Sequence, residues 1–474
     1  MTSTPLTRRA LLATATALPL AAALPEVADA RAGWRLLAQQ VDSPAKSFGL
    51  IGAGDRGGMI SAPSDPIPRL KLKDGRVVIH PTQLGNLLNA HLDSYSRRPD
   101  REQLRFAATV MEALMQRTAR RQGARFLAYE FNWHADGRPL PGPWYSSFGQ
   151  SKFPRALHRL EQATGERKWA RYRQEVVAAF HLPPLRSRPT QPWIAGVDAN
   201  NCLWLEEYPS PVGRFSTVFN GHFYALAELG FYLQQTKDPL AREVVQGAAA
   251  TLDFYRNYCR APGRWSNYFA NSTTNVPSYH SVNTSCYVGL WNLTGLGRVG
   301  TVSDQMFADW PYTTDTRAAG RIRVNPGVHQ IQRPVGSGPG KPQVWKTTSP
   351  MVLRTTSRHR WSTATGTWLY MAEGPKSGFW VREQADLAFR VGLDTDQAIY
   401  TRPRPVLMKL GGPIVGYQWS ADGVGKAVRS TSFSRSAVVP GTQRATLGGR
   451  GHILVTEGRF AGLWVRQGGR VNFQ

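Results

Sequence analysis

The sequence predicts an α+β multidomain protein, with an incomplete (α/α)6-type helical toroid followed by small all-β, SH3-like repeat modules. Paired helical patterns recur along the first part of the chain, and one ten-residue segment occurs twice near its end. The chain has 474 residues, too many for one hydrophobic core, since domains typically contain about 100–200 residues. We therefore expect two or three folded units.

The amino terminus predicts export. The pair Arg8-Arg9 precedes an apolar run that is too short for a permanent anchor, and Ala28–Ala30 supplies a small-x-small cleavage site. The leucines that follow the arginine pair favour the twin-arginine route. We assign residues 1–30 to a signal peptide and residues 31–68 to a linker, and we expect an extracellular or cell-wall location.

Residues 69–300 predict the helical toroid. A hairpin at residues 69–79 turns at Asp74-Gly75, and three helical pairs follow it. The breaks within the pairs are 65 and 73 residues apart (165−100 and 238−165), which is typical of a repeated helical hairpin. Long connections at 124–143 and 182–213 favour a toroid over a stacked solenoid, because such loops are usually functional. The predicted pairs are 83–98 with 101–120, 145–163 with 167–180, and 215–235 with 242–259.

The end of the chain predicts duplicated β modules. EGPKSGFWVR at 373–382 and EGRFAGLWVR at 457–466 share one pattern at an offset of 84 residues (457−373). We assign modules to residues 316–395 and 396–474 and expect them to hold a wall polymer. The alternative is that Trp380 and Trp464 are ordinary core residues.

The charge predicts an acidic partner. Lys and Arg number 58 against 32 Asp and Glu, a formal net charge of +26. Nucleic acid and anionic polysaccharide both fit this charge, and the export signal favours the polysaccharide. No later segment is long and apolar enough for an integral membrane segment.

No cofactor is predicted. The glycine-rich segment 52–57 formally matches a dinucleotide fingerprint, but the prolines after it prevent the required helix. The three cysteines, Cys202, Cys259 and Cys286, have no metal-ligand spacing and allow at most one disulfide.

Five segments in order between residues 79 and 292 resemble the D-glucuronyl C5-epimerase C-terminal domain. The most distinctive is LEEYPSPVGRFSTVFNGHFYAL at 205–226, which is similar to that family's E-Y-P…S-x-V-L-N-G-x-x-Y-S-L block. The others are IHPTQLG at 79–85, WYSSFGQSK at 144–152, RWSNY at 264–268 and the pair Tyr279-His280. Two departures are Asn283, where the family motif has its second histidine, and the Phe-Ala-Asn sequence after Tyr268.

This resemblance implies inversion of carbon 5 of a uronic-acid residue in an anionic polysaccharide. Proton abstraction beside a carboxylate needs transfer groups on both faces of the ring and a clamp for the developing charge. Tyrosine becomes a usable base only in an electropositive site, because its ordinary pKa is near 10. The resemblance implies Tyr208 on one face, Tyr268 or Tyr279 on the other, and Glu207 tuning or positioning them. The implied substrate-binding or supporting residues are Gln83, Tyr145, Gln150, Arg214, Asn220 and His280.

Three other functions remain open. The same proton abstraction begins β-elimination, so a polysaccharide lyase is the nearest alternative. A glycoside hydrolase needs a carboxylate pair, for which Asp198 with Glu207 or Glu130 with Asp136 are candidates. The third alternative is a non-catalytic protein that binds cell-wall polymer or exopolysaccharide. The sequence does not separate these functions, and it gives neither the polymer nor the oligomeric state.

Overall fold

A computed structural model describes residues 34–37, 59–62, 65–135, 137–185, 191–210, 213–309, 320–333, 335, 338–361, 365–391, 398–420 and 423–474. The predicted signal peptide and the glycine-rich segment 52–57 lie outside these residues. The predicted linker contains two strands, Met59–Ala62 (β1) and Asp65–Lys71 (β2), which pair antiparallel. Val77–Val78 (β3) then pairs with β2, and Gly75 at φ +87° makes the predicted turn between them.

Four helical pairs follow this small sheet. The first three are the predicted ones, whereas the fourth was not predicted and runs past residue 300. Each second helix begins within a few residues of the end of the first, which makes four tight helical hairpins. The pairs are Pro81–Arg97 (α1) with Arg101–Gln116 (α2), Phe153–Thr164 (α4) with Arg167–Ala178 (α5), Phe219–Thr236 (α6) with Pro239–Phe254 (α7), and Pro277–Thr294 (α9) with Gly297–Asp309 (α10). The short helices Ser147–Gln150 (α3) and Arg256–Cys259 (α8) lie beside the second and third pairs.

The turns inside the pairs explain why the helices end where they do. Asp100 and Asp238 cap the following helices by accepting backbone N–H groups in their first turns. Gly165 and Gly295 close α4 and α9 in the left-handed conformation, at φ +71° and +67°. The first helices of successive pairs contact one another in chain order, α1 with α4, α4 with α6 and α6 with α9.

The long connections between pairs carry short β-hairpins. Their strands are Ala119–Arg121 (β4) with Ala124–Phe126 (β5), Trp133–Ala135 (β6) with Arg138–Leu140 (β7), and Ala195–Val197 (β8) with Leu203–Leu205 (β9). Most of the apolar residues of β5, β8 and β9 are buried in the same core as α6, α7 and α9. These connections are therefore packed structure rather than loose loops.

The remaining strands form two units that share no strand within the described residues. The first unit comprises Gly320–Val324 (β10), Gly327–Gln332 (β11), Gln343–Thr347 (β12), Met351–Thr355 (β13), Arg358–His359 (β14), Trp368–Tyr370 (β15), Trp380–Arg382 (β16) and Ala388–Val391 (β17). The second comprises Ala398–Met408 (β18), Gly411–Trp419 (β19), Gly425–Phe433 (β20), Ala437–Leu447 (β21), Arg450–Val455 (β22), Leu463–Arg466 (β23) and Val471–Phe473 (β24). The predicted succession of a helical region and many strands is confirmed.

The two β units have the same topology. The second is one sheet in the order β20-β19-β23-β22-β21-β18-β24. The first unit has two sheets, with the orders β12-β11-β16-β15-β14 and β13-β10-β17. If β13 and β14 are counted as one strand, equivalent to β21, the two orders join into the same series as in the second unit. Corresponding strands lie about 84 residues apart, as β16 and β23 do (464−380). The duplication seen in ten residues thus extends over the whole unit.

The repeated segments also share a backbone conformation. Gly374 and Gly378 in the first copy, and Gly458 and Gly462 in the second, all have positive φ values between 72° and 87°. In each copy the later glycine donates its N–H to a carbonyl at the end of the preceding strand, that of Met371, just after β15, at 2.9 Å and that of Val455, the last residue of β22, at 2.8 Å. Trp464 is buried at 7% exposure, whereas Trp380 is half-buried and packs 5.2 Å from Trp361.

The second β unit is attached to the last helical pair. Arg404 is 1% exposed and forms a 2.9 Å ion pair with Asp304 of α10. Its guanidinium lies 4.1 Å from the centre of the Phe473 ring. Asn292 of α9 accepts the Thr401 N–H at 3.0 Å and donates to the Ile399 carbonyl at 3.2 Å. These buried polar contacts fix the helical and β parts relative to one another.

Candidate active site

The site is built on two adjacent glutamates that follow strand β9. Glu206 is fully buried, and its carboxylate accepts the Ser216 N–H and hydroxyl at 2.6 Å each and the Thr217 N–H at 3.1 Å. Three donors on one carboxylate hold the segment that leads into α6. Glu206 is therefore occupied structurally, and Glu207 is the member of the pair that is free for chemistry.

Glu207 lies against the beginning of α6. Its side chain packs so close to Gly221 that a β-carbon at that position would lie 2.2 Å from the Glu207 Oε2 atom. The glutamate is 7% exposed, and Oε2 is buried without a hydrogen-bond partner within the described residues. Burial raises the pKa of Glu207 to about 7, while the Tyr208 hydroxyl acts in the opposite direction. This carboxyl therefore titrates near neutral pH.

Backbone pairing brings the other predicted tyrosines to this glutamate. Phe219 donates its N–H to the Tyr268 carbonyl at 3.2 Å, and Ala270 donates to the Thr217 carbonyl at 3.0 Å. The Tyr268 ring then meets the Tyr279 ring edge to face, with centroids 4.7 Å apart. The Tyr208 ring lies 6.1 Å from the Trp144 ring.

The pKa shifts show that the three tyrosines and Glu207 form one group. Burial raises the pKa of Tyr208, Tyr268 and Tyr279, and in each case the next largest cause is the charge of Glu207. Hydrogen bonding links Tyr268 to both Tyr208 and Tyr279. The expected electropositive site is therefore wrong, because a buried carboxylate beside the phenols keeps them protonated. Glu207 is the group that can accept a proton at neutral pH.

Two further tyrosines, missed as site residues, surround Glu207. Its charge also raises the pKa of Tyr129 and Tyr224, after burial. Tyr129 stacks on Trp144 at 4.0 Å, with its hydroxyl 2.6 Å from the Thr82 hydroxyl. Tyr224 lies in α6, a largely apolar helix in which a tyrosine is more often a core residue than a catalytic one. Only its spacing of four residues from Asn220 could have placed it on the same helix face.

Gln150 and His280, predicted to bind substrate or to support the site, make hydrogen bonds within the fold. The Gln150 side chain accepts the Leu127 N–H at 3.0 Å and donates to the carbonyls of Arg125 and Val176. His280 accepts the Ser266 N–H at 3.0 Å and donates to the Met306 carbonyl at 3.1 Å. Both residues are almost fully buried, at 1% and 2% exposure, so these side chains have no hydrogen-bonding group left for a substrate.

The same arrangement occurs a third time at His222. It accepts the Leu205 N–H at 3.0 Å and donates to the Ala248 carbonyl at 2.9 Å. In all three cases the acceptor carbonyl is 26 residues downstream (176−150, 248−222 and 306−280), in the second helix of the pair. One buried polar side chain thus joins each of these pairs to the segment before it.

The other predicted residues are distributed around the site. Asn220 is 4% exposed beside Gly221, and its Oδ1 atom is buried without a partner within the described residues. Tyr145 is half-buried against Phe126, at 5.9 Å. Gln83 is half-buried in the first turn of α1, and Arg214 is exposed after the Glu207 segment.

Asn283, which replaces the second histidine of the family motif, helps to hold the tyrosine cluster in place. Its amide donates to the Ser266 hydroxyl and to the Asn267 carbonyl, both at 3.0 Å. These two residues directly precede Tyr268, so Asn283 fixes the segment that carries this tyrosine. An asparagine here is therefore compatible with an assembled site.

Asp198, one carboxylate of the pairs considered for a hydrolase, is bonded within the fold. Asp198 accepts from the Trp204 indole at 2.9 Å and from the Tyr255 hydroxyl at 2.6 Å, which commits it to the core. Asp136 lies outside the described residues. All three cysteines are buried free thiols. Across the described ranges no cluster of three His, Cys, Asp or Glu could hold a metal, and no helix could cross a membrane.

One family model matches most of the helical region. Residues 122–306 match the family model of the D-glucuronyl C5-epimerase C-terminus. The resemblance drawn from the short motifs is confirmed over this segment, which includes Glu207 and all five tyrosines around it. The first helical pair and both β units lie outside the match.

The other comparisons give weaker evidence than the family model. No curated protein matches the sequence significantly. A solved structure that the chain resembles is a selenomethionine derivative of a GH76 alpha-mannanase from Bacteroides thetaiotaomicron, at 12% identity and a TM-score of 0.32. The similarity covers 48% of this chain and 56% of the mannanase chain, so this chain spans little more than half of the mannanase's length.

Proposed function

We propose that this protein is an exported uronate C5-epimerase, which inverts carbon 5 of uronic-acid residues in an anionic polysaccharide. The observation that carries the proposal is the convergence of Glu207 with Tyr208, Tyr268 and Tyr279. The family match over residues 122–306 supports an isomerase of this class. The twin-arginine-like amino terminus and the net charge of +26 support export and an anionic polymer.

In the proposed reaction Glu207 is the base and Tyr208 is a relay. The Tyr208 oxygen takes the proton from carbon 5 while its own hydroxyl proton passes to the Glu207 carboxylate. Tyr208 stays neutral throughout, which avoids the phenolate that burial and Glu207 disfavour. The electron pair left on carbon 5 delocalises into the adjacent carboxylate of the sugar.

Tyr268 or Tyr279 then supplies a proton to the opposite face of carbon 5. The phenolate left behind is neutralised by the proton held on Glu207, which returns through the hydrogen-bonded tyrosines. This closes the cycle with no net gain or loss of protons. Arg214 is proposed to hold the sugar carboxylate, because it is exposed on the segment that follows Glu207.

We further propose that the four helical pairs are an arc of an α/α toroid and that the β units are SH3-like polymer-binding modules. The contacts between successive first helices support the arc. The shared strand order supports a duplicated module. In this arrangement the helical part carries the reaction, and the β units hold a wall or capsular polymer near it.

The test is hydrogen exchange at carbon 5. The mature protein, from Arg31 onward, is incubated with uronic-acid polymers in deuterated water, and carbon 5 is followed by NMR. Deuterium at carbon 5 in an intact chain is expected, with loss of exchange in Tyr208→Phe. The control is Tyr255→Phe, whose hydroxyl contacts Asp198 instead, and which should exchange normally.

Other outcomes would replace the proposal. Unsaturated ends would identify a lyase, and new reducing ends without exchange would identify a hydrolase. Binding of a polymer with no chemical change, unaffected by loss of all three tyrosines, would identify a non-catalytic binding protein.

A further inference from the structure

A cavity of about 360 Å³ lies between the two β units, away from the tyrosine cluster. Its volume falls within the range of about 300–1,000 Å³ that small-ligand sites occupy. The first unit contributes Arg323, Asn325, Asp386 and Phe389, and the second contributes the other ten lining residues. Neither unit forms this cavity alone.

The cavity is held open by two turns of the second unit that rest on the first. Asp386 donates its N–H to the Gly448 carbonyl at 3.1 Å and forms an ion pair with Arg450 at 2.5 Å. The turn at Gly423 approaches the first unit closely, since a β-carbon there would lie 3.1 Å from Val391. The walls are therefore fixed by contacts between the units before any ligand binds.

One wall of the cavity is aromatic. Trp419 and Tyr417 line it together, with ring centroids 6.2 Å apart, and His452 lies 5.1 Å from Trp419. Gly425 and Gly448 flank the indole, and a β-carbon at either position would lie within 2.9 Å of its ring. The indole N–H of Trp419 is buried and has no hydrogen-bond partner within the described residues. An unused buried donor is costly, and it indicates a place for a ligand acceptor.

Positively charged side chains also line the cavity. Three arginines line the cavity, Arg323, Arg450 and Arg466, against the single acid Asp386. Arg450 is paired with that acid, whereas Arg466 is exposed and forms no ion pair in the described part of the chain. Arginine is suited to carboxylates because its planar donors bind them in pairs.

We infer that this cavity binds a carboxylate-bearing sugar residue of a polysaccharide. The ring would lie on Trp419 and Tyr417, a ring hydroxyl would accept the indole N–H, and Arg466 would hold the carboxylate. The site would anchor one part of a chain while another part reaches Glu207. The inference rests on the proposed function only for the choice of a uronate polymer.

The repeat itself supplies the control for a test. Arg382 occupies the position of Arg466 in the first copy (466−382 = 84) but bonds Gln330 and does not line the cavity. Binding of a glucuronate-containing hexasaccharide to the full mature chain is measured by calorimetry in Arg466→Gln and Arg382→Gln. We expect Arg466→Gln to weaken binding about tenfold or more, since a charge-assisted contact contributes about 1.5–3 kcal/mol. Arg382→Gln should leave the affinity unchanged.

Two further measurements make the result specific. Trp419→Phe keeps an aromatic ring and removes the N–H donor, so weaker binding in this variant supports the indole contact. Equal binding of a neutral N-acetylglucosamine hexasaccharide would overturn the assignment to an anionic sugar. Deuterium exchange at carbon 5 is recorded in the same variants. If Arg466→Gln and Trp419→Phe both bind with unchanged affinity and exchange normally, the cavity site is overturned and the epimerase proposal is not. If these variants bind more weakly but no protein, including the natural one, shows exchange, the cavity site is supported and the epimerase proposal is refuted.

Discussion

Replacing Glu207 by Gln should stabilise the protein at neutral and alkaline pH while removing its activity. In the folded chain the pKa of Glu207 is about 7, against an ordinary value of about 4.5 in the unfolded chain. Between these values the folded protein keeps a proton that the unfolded chain has released. Unfolding therefore releases a proton, and stability falls as the pH rises through this interval.

The size of the effect follows from the interval. About 2.5 pH units at about 1.4 kcal/mol each give about 3.5 kcal/mol, an upper value because the buried carboxylate can relax. Glutamine cannot ionise, so the variant does not lose this stability. Glu207→Gln should thus match the natural protein at pH 4.5 and exceed it by up to about 3.5 kcal/mol at pH 8.

The neighbouring residue provides the matched comparison. Glu206 accepts three hydrogen bonds, and a glutamine there would set its own N–H groups against one of those donors. Glu206→Gln should therefore destabilise by about 1–3 kcal/mol. Urea unfolding followed by circular dichroism at pH 4.5 and pH 8 measures both variants. The reasoning fails if Glu207→Gln is no more stable at pH 8, or if its gain is the same at both pH values.

Three other predictions concern the site and its support. The rate of deuterium exchange should rise through about pH 7 as Glu207 ionises, and a pH–rate profile with no change between pH 6 and pH 8 would exclude it as the base. Gly221→Ala should reduce the rate of deuterium exchange about tenfold or more, because the new β-carbon would lie 2.2 Å from the Glu207 Oε2 atom and displace it. Gly297→Ala, where a β-carbon meets only open space, should leave the exchange rate unchanged, and the rates of the two variants are compared. His280→Ala should lower stability by about 2–4 kcal/mol, because the Ser266 N–H and the Met306 carbonyl lose their buried partner. His280→Gln should recover part of that loss in thermal unfolding, since Gln150 makes the equivalent bonds in another pair.

The sequence placed most of the helices because their signals are local. Asp100, Asp238 and Gly165 mark helix ends by capping and by left-handed turns, which depend only on neighbouring residues. The fourth pair was missed although Gly295 marks its turn in the same way. Its first helix mixes polar residues such as His280, Asn283 and Asn292 with apolar ones along its length, so no amphipathic stripe shows in the sequence.

The sequence also identified residues of the site without predicting their state. The motifs named Glu207, Tyr208, Tyr268 and Tyr279, and these residues do come together. Whether they are charged depends on burial, which raises the pKa of Glu207 to about 7 and keeps the phenols neutral. Burial is a property of the packed chain, so the expected electropositive site could not be tested from composition.

By itself, then, the sequence determined three of the four helical pairs, the duplication at the end of the chain, and the grouping of Glu207, Tyr208, Tyr268 and Tyr279 in one candidate site. Periodicity, caps and repeats are carried by residues close in the chain, and their signals survive without a fold. Only the tertiary structure decided that Gln150 and His280 hold helical pairs together, that Tyr129 and Tyr224 surround Glu207, and that a cavity lies between the β units. Each of these depends on which distant residues share a contact, and that is fixed by packing.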